Sequence, residues 1–202
     1  MNEKEKMLKG LPYNPVKSKT LFVERLRCKK LCHNYNLLNP ELIGMRQGLL
    51  FKLLGRINGL FMIEQPFRCD YGYNIEIGNN FYSNYNLTIL DAGKVKFGDN
   101  VFVGPNCGFY TSHHPIDAKE RNTGKSYAYP ITVGDNVWIG ADVSVLPGVT
   151  IGSNTVIGTG SVVTKSIPAN VVAAGVPCVV RKELKEEDDI YKIVKKAFLL
   201  DK

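Results

Sequence analysis

A β solenoid built from hexapeptide repeats, with helical segments at both ends, is the fold class this sequence predicts, and three observations carry the prediction. From residue 133 every sixth position is aliphatic: Val133, Ile139, Val145, Ile151, Ile157, Val163 and Ala169. An α-helix scatters residues six apart over different faces and a flat strand repeats every second residue, so neither explains a strict period of six. Short strands joined by tight turns, three to a triangular coil, put each aliphatic inside and stack it on its equivalent one coil away. The second observation is a looser copy of the pattern upstream, in Ile77-Gly78-Asn79-Asn80, Phe97-Gly98-Asp99-Asn100 and Val103-Gly104-Pro105-Asn106, where Asn, Asp and Gly supply corners of positive φ at little cost. The third is helical spacing of the apolar residues before residue 58.

Each element follows in chain order. Residues 1–57 form an amino-terminal helical segment, with helices over 18–36 and 40–57 that start at Ser18 and at Asn39-Pro40 and end at Gly55, Asn58 and Gly59. Residues 58–180 form the solenoid. Ile77 and Phe97 are twenty apart and Phe109 and Val133 twenty-four, so the coils carry insertions. The larger one, at about 111–130, is polar and rich in turn formers and should leave the solenoid as a loop. Residues 181–202 should close the far end as a capping helix, with Ile190, Ile193, Val194 and Phe198 on one stripe, because an open solenoid end exposes unpaired strand edges.

Composition narrows the function classes. With 202 residues, 44% of them hydrophobic and 22% charged, the chain can bury enough apolar area to offset its entropy, which excludes a disordered protein. The longest uncharged stretch, Val143 to Thr164, is broken throughout by Gly, Pro, Ser, Asn and Thr, so no membrane span is expected. The amino end is charged in both signs and leads into no apolar run, so a secretory leader is not expected and the protein reads as cytoplasmic. The net charge of +7 is concentrated before residue 58, spread along helices rather than clustered, and reads as a solvated face rather than a nucleic-acid or membrane surface. Cys28, Cys32, Cys69, Cys107 and Cys178 form no C-x2-C pair and read as reduced, buried thiols.

The hexapeptide run, the segment Glu5-Lys6-Met7-Leu8, the stretch Phe81-Tyr82-Ser83-Asn84-Tyr85-Asn86-Leu87-Thr88, the pair His114-Pro115 and the ending Ala173-Ala174-Gly175-Val176-Pro177-Cys178 together resemble the galactoside/maltose O-acetyltransferase branch of the hexapeptide acyltransferases. The resemblance spans essentially the whole chain. It implies a left-handed parallel β-helix, a homotrimer with active sites between subunits, acetyl-CoA as donor and a small-molecule sugar as acceptor.

Acetyl transfer to a hydroxyl needs a base, because an alcohol is a poor nucleophile until its proton is being removed, and histidine suits that task at neutral pH. Of the three histidines, His33 lies in a helix, His113 has no expected role, and His114 holds the family's position before proline, which makes it the implied catalytic base. The resemblance assigns Asn84 to the acceptor hydroxyl and the tetrahedral intermediate, and Arg25, Asp70, Tyr82 and Asp91 to acceptor binding. Asn14 stands where galactoside transferases carry an acidic residue, and Ala92 where they carry the second of two aspartates, so the preferred sugar is left open. On the donor side it implies that the pantetheine arm runs along the coils of Ala141, Thr159, Thr164 and Lys165, with Arg181 and Lys182 near the phosphates. Trp138, one residue before an inward aliphatic, should point outward.

Competing chemistries are weaker. The γ-class carbonic anhydrases share the solenoid but hold zinc through three well-spaced histidines, which two adjacent histidines and one remote one do not supply, so no metal is expected. Cys107 as an acyl nucleophile conflicts with a place in the turn or the core. The alternatives are an acetyltransferase for another hydroxyl, such as an antibiotic or a polysaccharide unit, or a non-catalytic hexapeptide scaffold, whose mark would be a missing loop histidine.

Overall fold

The computed structural model describes residues 1–185. The carboxy-terminal stripe Ile190 to Phe198 lies outside the described residues.

The core of the molecule is a left-handed parallel β-helix of about six coils whose strands form three sheets. One sheet stacks strands at Arg56–Ile57, Ile75–Ile77, Val95–Phe97, Ile131–Val133 and Thr150–Ile151. The second stacks Phe61–Ile63, Phe81–Ser83, Phe102–Val103, Trp138–Ile139, Val156–Ile157 and Val171–Ala174, and the third Phe67–Cys69, Leu87–Leu90, Gly108–Tyr110, Ser144–Val145 and Val162–Val163. The register gives coil lengths directly. Met62 pairs with Tyr82, Tyr82 with Phe102, Phe102 with Trp138, Trp138 with Val156 and Val156 with Val172, so successive coils advance by 20, 20, 36, 18 and 16 residues. The long one contains the loop.

Alternation within each short strand sends one side chain in and the next out. Val133, Ile139, Val145, Ile151, Ile157 and Val163 are all buried to within about one per cent. Ala169 is not: it is exposed, because the last coil is 16 residues long and Ile167 pairs with Ile151 in its stead. In the wider lower coils, Phe81, Phe97 and Phe109 fill the axis with ring centroids 5.1 and 4.9 Å apart.

The corners repeat as regularly as the core. Between the first and second sheets, Asn80, Asn100, Asn136, Asn154 and Asn170 each adopt φ of 55 to 58°, and each side chain donates through Nδ2 to Oδ1 of the next, at 2.9 to 3.1 Å. Between the second and third sheets, Asn86, Asn106, Asp142 and Gly160 take the same left-handed conformation. Asn tolerates this region because its short polar side chain finds a local partner, and here that partner is another Asn one coil away.

Among the described residues, three helices and a loop dress this prism. Helix α1 (Glu3–Leu8) begins with a reciprocal cap between Asn2 and Glu5. Helix α2 (Lys19–Leu37) is capped by Ser18 Oγ, which accepts from the Leu21 N–H at 3.2 Å, and buries Leu21, Cys28, Cys32 and Tyr35 along one stripe. Helix α3 (Ile43–Leu53) is shorter at both ends than the 40–57 expected. Asn39 caps a separate turn by accepting from Glu41 N–H, and Arg56–Ile57 have already entered the first coil, two residues before the expected start of the solenoid. At the far end Val179–Glu183 is a strand folded back antiparallel on Val171–Ala174. Arg181 and Lys182 therefore belong to a covering strand, not to the first turn of a helix.

The Asn ladder yields a stability prediction. Asn136→Val removes two ladder bonds and puts a β-branched residue at φ 55°, which should cost about 2–4 kcal/mol, whereas Asn136→Gly loses the bonds but relieves the backbone and should cost about half as much. Melting temperatures at one fixed protein concentration test this, and an inverted order would show that strain at φ 55° is not the dominant cost at this corner.

Candidate active site

The loop between Tyr110 and Ile131 springs from the edge between the third and first sheets. It is a two-stranded ribbon, with Ser112–His113 pairing antiparallel to Tyr127–Ala128, and its tip holds one turn of helix, α4 (Ala118–Arg121), capped by Asp117. The amino-terminal arm holds it from outside. Tyr13 bridges Ser126 through both backbone groups, and Asn14 donates from Nδ2 to the Thr123 carbonyl at 2.7 Å while its Oδ1 accepts from the N–H groups of Val16 and Lys17. Met7, Tyr13, Leu21, Tyr71, Ala92 and Ala128 form a small apolar cluster beneath the arm.

The two adjacent histidines diverge. The His113 ring stacks on Tyr127 at 5.3 Å and leans on Tyr129 at 5.4 Å, which stiffens the ribbon. His114 is exposed, with Nδ1 3.1 Å from the Lys125 carbonyl and 3.3 Å from Ser126 Oγ. A carbonyl only accepts, so the neutral ring that satisfies it carries its proton on Nδ1 and keeps the Nε2 lone pair available. That is the tautomer a general base requires.

On the same edge as the loop, Arg25 from α2 reaches Asp70 at 2.6 Å through Nη2 and donates from Nε at 2.8 Å. Asp91 does not face an acceptor. It is fully buried, and its Oδ1 accepts from the N–H groups of Asp70 and Tyr71 at 3.0 and 2.8 Å, so it shapes the turn that presents Asp70. The inward pleat of its corner, invisible without the coil register, explains the difference. Among the described residues Asp91 Oδ2 has no hydrogen-bond partner, and burial pushes the carboxyl up to about 6.

Asn84 lies on a different edge, between the second and third sheets, at the end of Phe81–Ser83. Its Oδ1 accepts from the Tyr85 N–H at 2.8 Å, which aims Nδ2 away from that bond as a donor. Directly above it along this edge come Gly104, Ala141 and Thr159: Asn84 N–H donates to Val103, Gly104 to Ile139 and Gly140 to Ile157. Thr164 and Lys165 follow Val162–Val163 and so sit back on the loop edge, four coils from Asp70. Arg181 donates from Nε to the Ala174 carbonyl at 3.1 Å. On the outer face of the second sheet, Tyr82, Phe102 and Trp138 stand in register, and the last two are 42% exposed. Cys107 is buried with its Sγ donating to the Gly140 carbonyl at 3.1 Å, and desolvation raises its thiol to about 11, which removes it as a nucleophile at neutral pH.

One chain therefore gathers most of its expected residues on two edges of the prism, with Tyr82 on the face of the second sheet and Arg181 and Lys182 on the covering strand. The loop edge has His114, Asn14, Arg25, Asp70, Asp91, Thr164 and Lys165, and the other has Asn84, Ala141 and Thr159.

A triangular prism of these coils with a histidine-bearing ribbon defines a hexapeptide acyltransferase. The pattern of six bacterial transferase hexapeptides matches residues 130–165, and the maltose acetyltransferase hexapeptide capping motif matches residues 6–59. The galactoside O-acetyltransferase of Escherichia coli is 46% identical over 168 residues, 83% of each chain. Among solved structures, a maltose O-acetyltransferase from Clostridium difficile superposes with a TM-score of 0.90 at 49% identity, covering 92% of this chain and 99% of that one. A galactoside acetyltransferase in complex with coenzyme A also scores 0.90, at 43% identity over 93% and 94% of the two chains. A hexapeptide-repeat acetyltransferase from Vibrio cholerae, complexed with acetyl coenzyme A, scores 0.85 at 33% identity over 92% and 100%. The chain belongs to the galactoside/maltose O-acetyltransferase family, and it is an acyltransferase.

Asp91 supplies a pH prediction. Its carboxyl titrates near 3.8 when free and at about 6 when folded, so between those values the folded chain holds a proton that the unfolded chain has lost. This group's contribution is full below about 4, falls as pH rises to about 6 by up to roughly 3 kcal/mol, and is flat above that. Melts of the wild type and of Asp91→Asn at pH 4 to 7 should show the wild type losing ground to the variant across that window. A wild type gaining on the variant would mean that the buried carboxylate is stabilised as the anion.

Proposed function

We propose that this chain acetylates a sugar hydroxyl by direct transfer from acetyl-CoA, with His114 as general base. The observation that carries this reading is the Lys125 carbonyl at His114 Nδ1, which selects the tautomer with a free Nε2 on an exposed ring. The hydroxyl gives its proton to Nε2 as its oxygen attacks the thioester carbonyl. The C–S bond then breaks, the acetyl group stays on the sugar oxygen, and the proton passes from His114 to the departing coenzyme A sulfur. Charge develops on the carbonyl oxygen in between. Asn84 Nδ2 and a backbone N–H near Ala141 are the donors that meet it, and one such donor can contribute ~3 kcal/mol.

Acceptor recognition falls to Arg25 and Asp70, with Tyr82 and Asn14 at the margin. Asn14 spends both ends of its amide on the arm and the loop, so its first task is to hold the ribbon that carries His114. Donor binding falls to Ala141, Thr159, Thr164 and Lys165, with Arg181 and Lys182 toward the phosphates.

The assembly that completes this site is a homotrimer. His114 and Asn84 occupy different edges of one prism, and three prisms packed about an axis bring one edge of each against a different edge of its neighbour. The Tyr82, Phe102 and Trp138 stripe supports the packing, since large exposed apolar side chains in register suit an interface better than water.

Two substitutions test the chemistry. His114→Ala and Asn84→Ala should each lower kcat by ~10²-fold or more with the acetyl-CoA Michaelis constant within about threefold of wild type. Thiol release measured over a panel of sugars and other alcohols reads both the rate and the acceptor class. Near-normal turnover of His114→Ala would remove the base, and a preference for a non-sugar alcohol would move the acceptor to an antibiotic or polysaccharide hydroxyl.

A further inference from the structure

Three of the five cysteines meet. Cys28 and Cys32 are four residues apart on α2 and so share the face that packs on Phe67–Cys69, where Cys69 rises to join them. Cys28 Sγ lies 3.4 Å and Cys32 Sγ 3.8 Å from Cys69 Sγ, and all three sulfurs lie within 4.8 Å of one another. All three residues are buried and unbridged. We propose that Cys28, Cys32 and Cys69 bind one thiophilic closed-shell cation of the Cu(I) type in trigonal coordination.

The geometry fits the ion before it arrives. Metal–thiolate bonds of about 2.3 Å place the sulfurs of a trigonal site roughly 4 Å apart, so the thiols need shifts of only some tenths of an ångström. Soft sulfur donors without oxygen or nitrogen select Cu(I) over hard cations. Zn(II) would seek a fourth ligand, and among the described residues no further His, Cys, Asp or Glu joins the trio. The Asp91 carboxylate, which holds two backbone N–H groups through Oδ1, falls outside the set of ligand atoms that lie within 4.8 Å of one another. An entry path exists, since Cys32 and Cys69 border an open groove whose other walls include Lys29 and Arg68, two cations that offset the thiolate charge.

The site would clamp α2 to the first coils. Arg25 stands one helical turn before Cys28, and Asp70 follows Cys69, so the ion would fasten together the two segments whose side chains pair as Arg25 and Asp70. This inference is independent of the acceptor's identity and of the role of His114.

The test uses the reduced full-length chain under anaerobic conditions, titrated with Cu(I) in competition with bicinchoninate. The wild type should withhold about one Cu(I) per chain, with new near-ultraviolet thiolate-to-copper absorption. Cys32→Ser should weaken retention at least ~10-fold, while Cys107→Ser, a buried thiol outside the trio, should leave it unchanged. Cu(I) should also raise the wild type's melting temperature by a few degrees at fixed protein concentration, a readout that needs no variant. Failure of the wild type to withhold copper, undiminished retention by Cys32→Ser, or Zn(II) held as firmly as Cu(I) would each overturn the proposal.

Discussion

Everything in this molecule depends on turning an extended backbone three times per coil without losing its hydrogen bonds. A residue in the left-handed region makes the turn, and L-amino acids pay for that region except where Gly, Asn or Asp stands. The chain answers with Asn80, Asn100, Asn136, Asn154 and Asn170 on one edge, each bonded to the next, and with Asn86, Asn106, Asp142 and Gly160 on another. Because a turn at one level hydrogen-bonds the turn above, the corners fix the register, and the register decides which side chain of each two- or three-residue strand faces the axis.

The site follows from that register. Fixed edges place Asn84 below Ala141 and Thr159, and place the His114 ribbon on the neighbouring edge with Arg25 and Asp70. Tyr13 and Asn14 pin the ribbon, so the amino-terminal arm positions the segment that carries His114. Its own anchor is the small cluster around Met7, Tyr71 and Ala128.

Much of this was legible in the sequence because period six has no other physical explanation, and because Asn and Gly mark corners by conformation rather than by partner. The legible part ends where coil length changes. Ala169 continues the period of six on paper, but a 16-residue coil hands the interior to Ile167. Asp91 resembles an acceptor ligand by position, and only the pleat shows that it points inward to hold the Asp70 turn. Helix α3 ends at Leu53 because Arg56 and Ile57 gain strand partners in Glu76 and Ile77, a tertiary preference that local spacing cannot express. The thiol trio was equally hidden: a spacing of four on a helix is common, and its third member lies 37 residues further on.

The central claim is that the reacting groups come from two chains, because one prism holds them on different edges. Mixing His114→Ala chains with Asn84→Ala chains under conditions that exchange subunits tests it most directly. Sites formed by an intact His114 from one chain and an intact Asn84 from its neighbour should return about a quarter of wild-type activity in a random one-to-one mixture of two nearly inactive parents. A mixture no more active than its parents, with exchange verified by mass, would mean that each chain carries its own complete site.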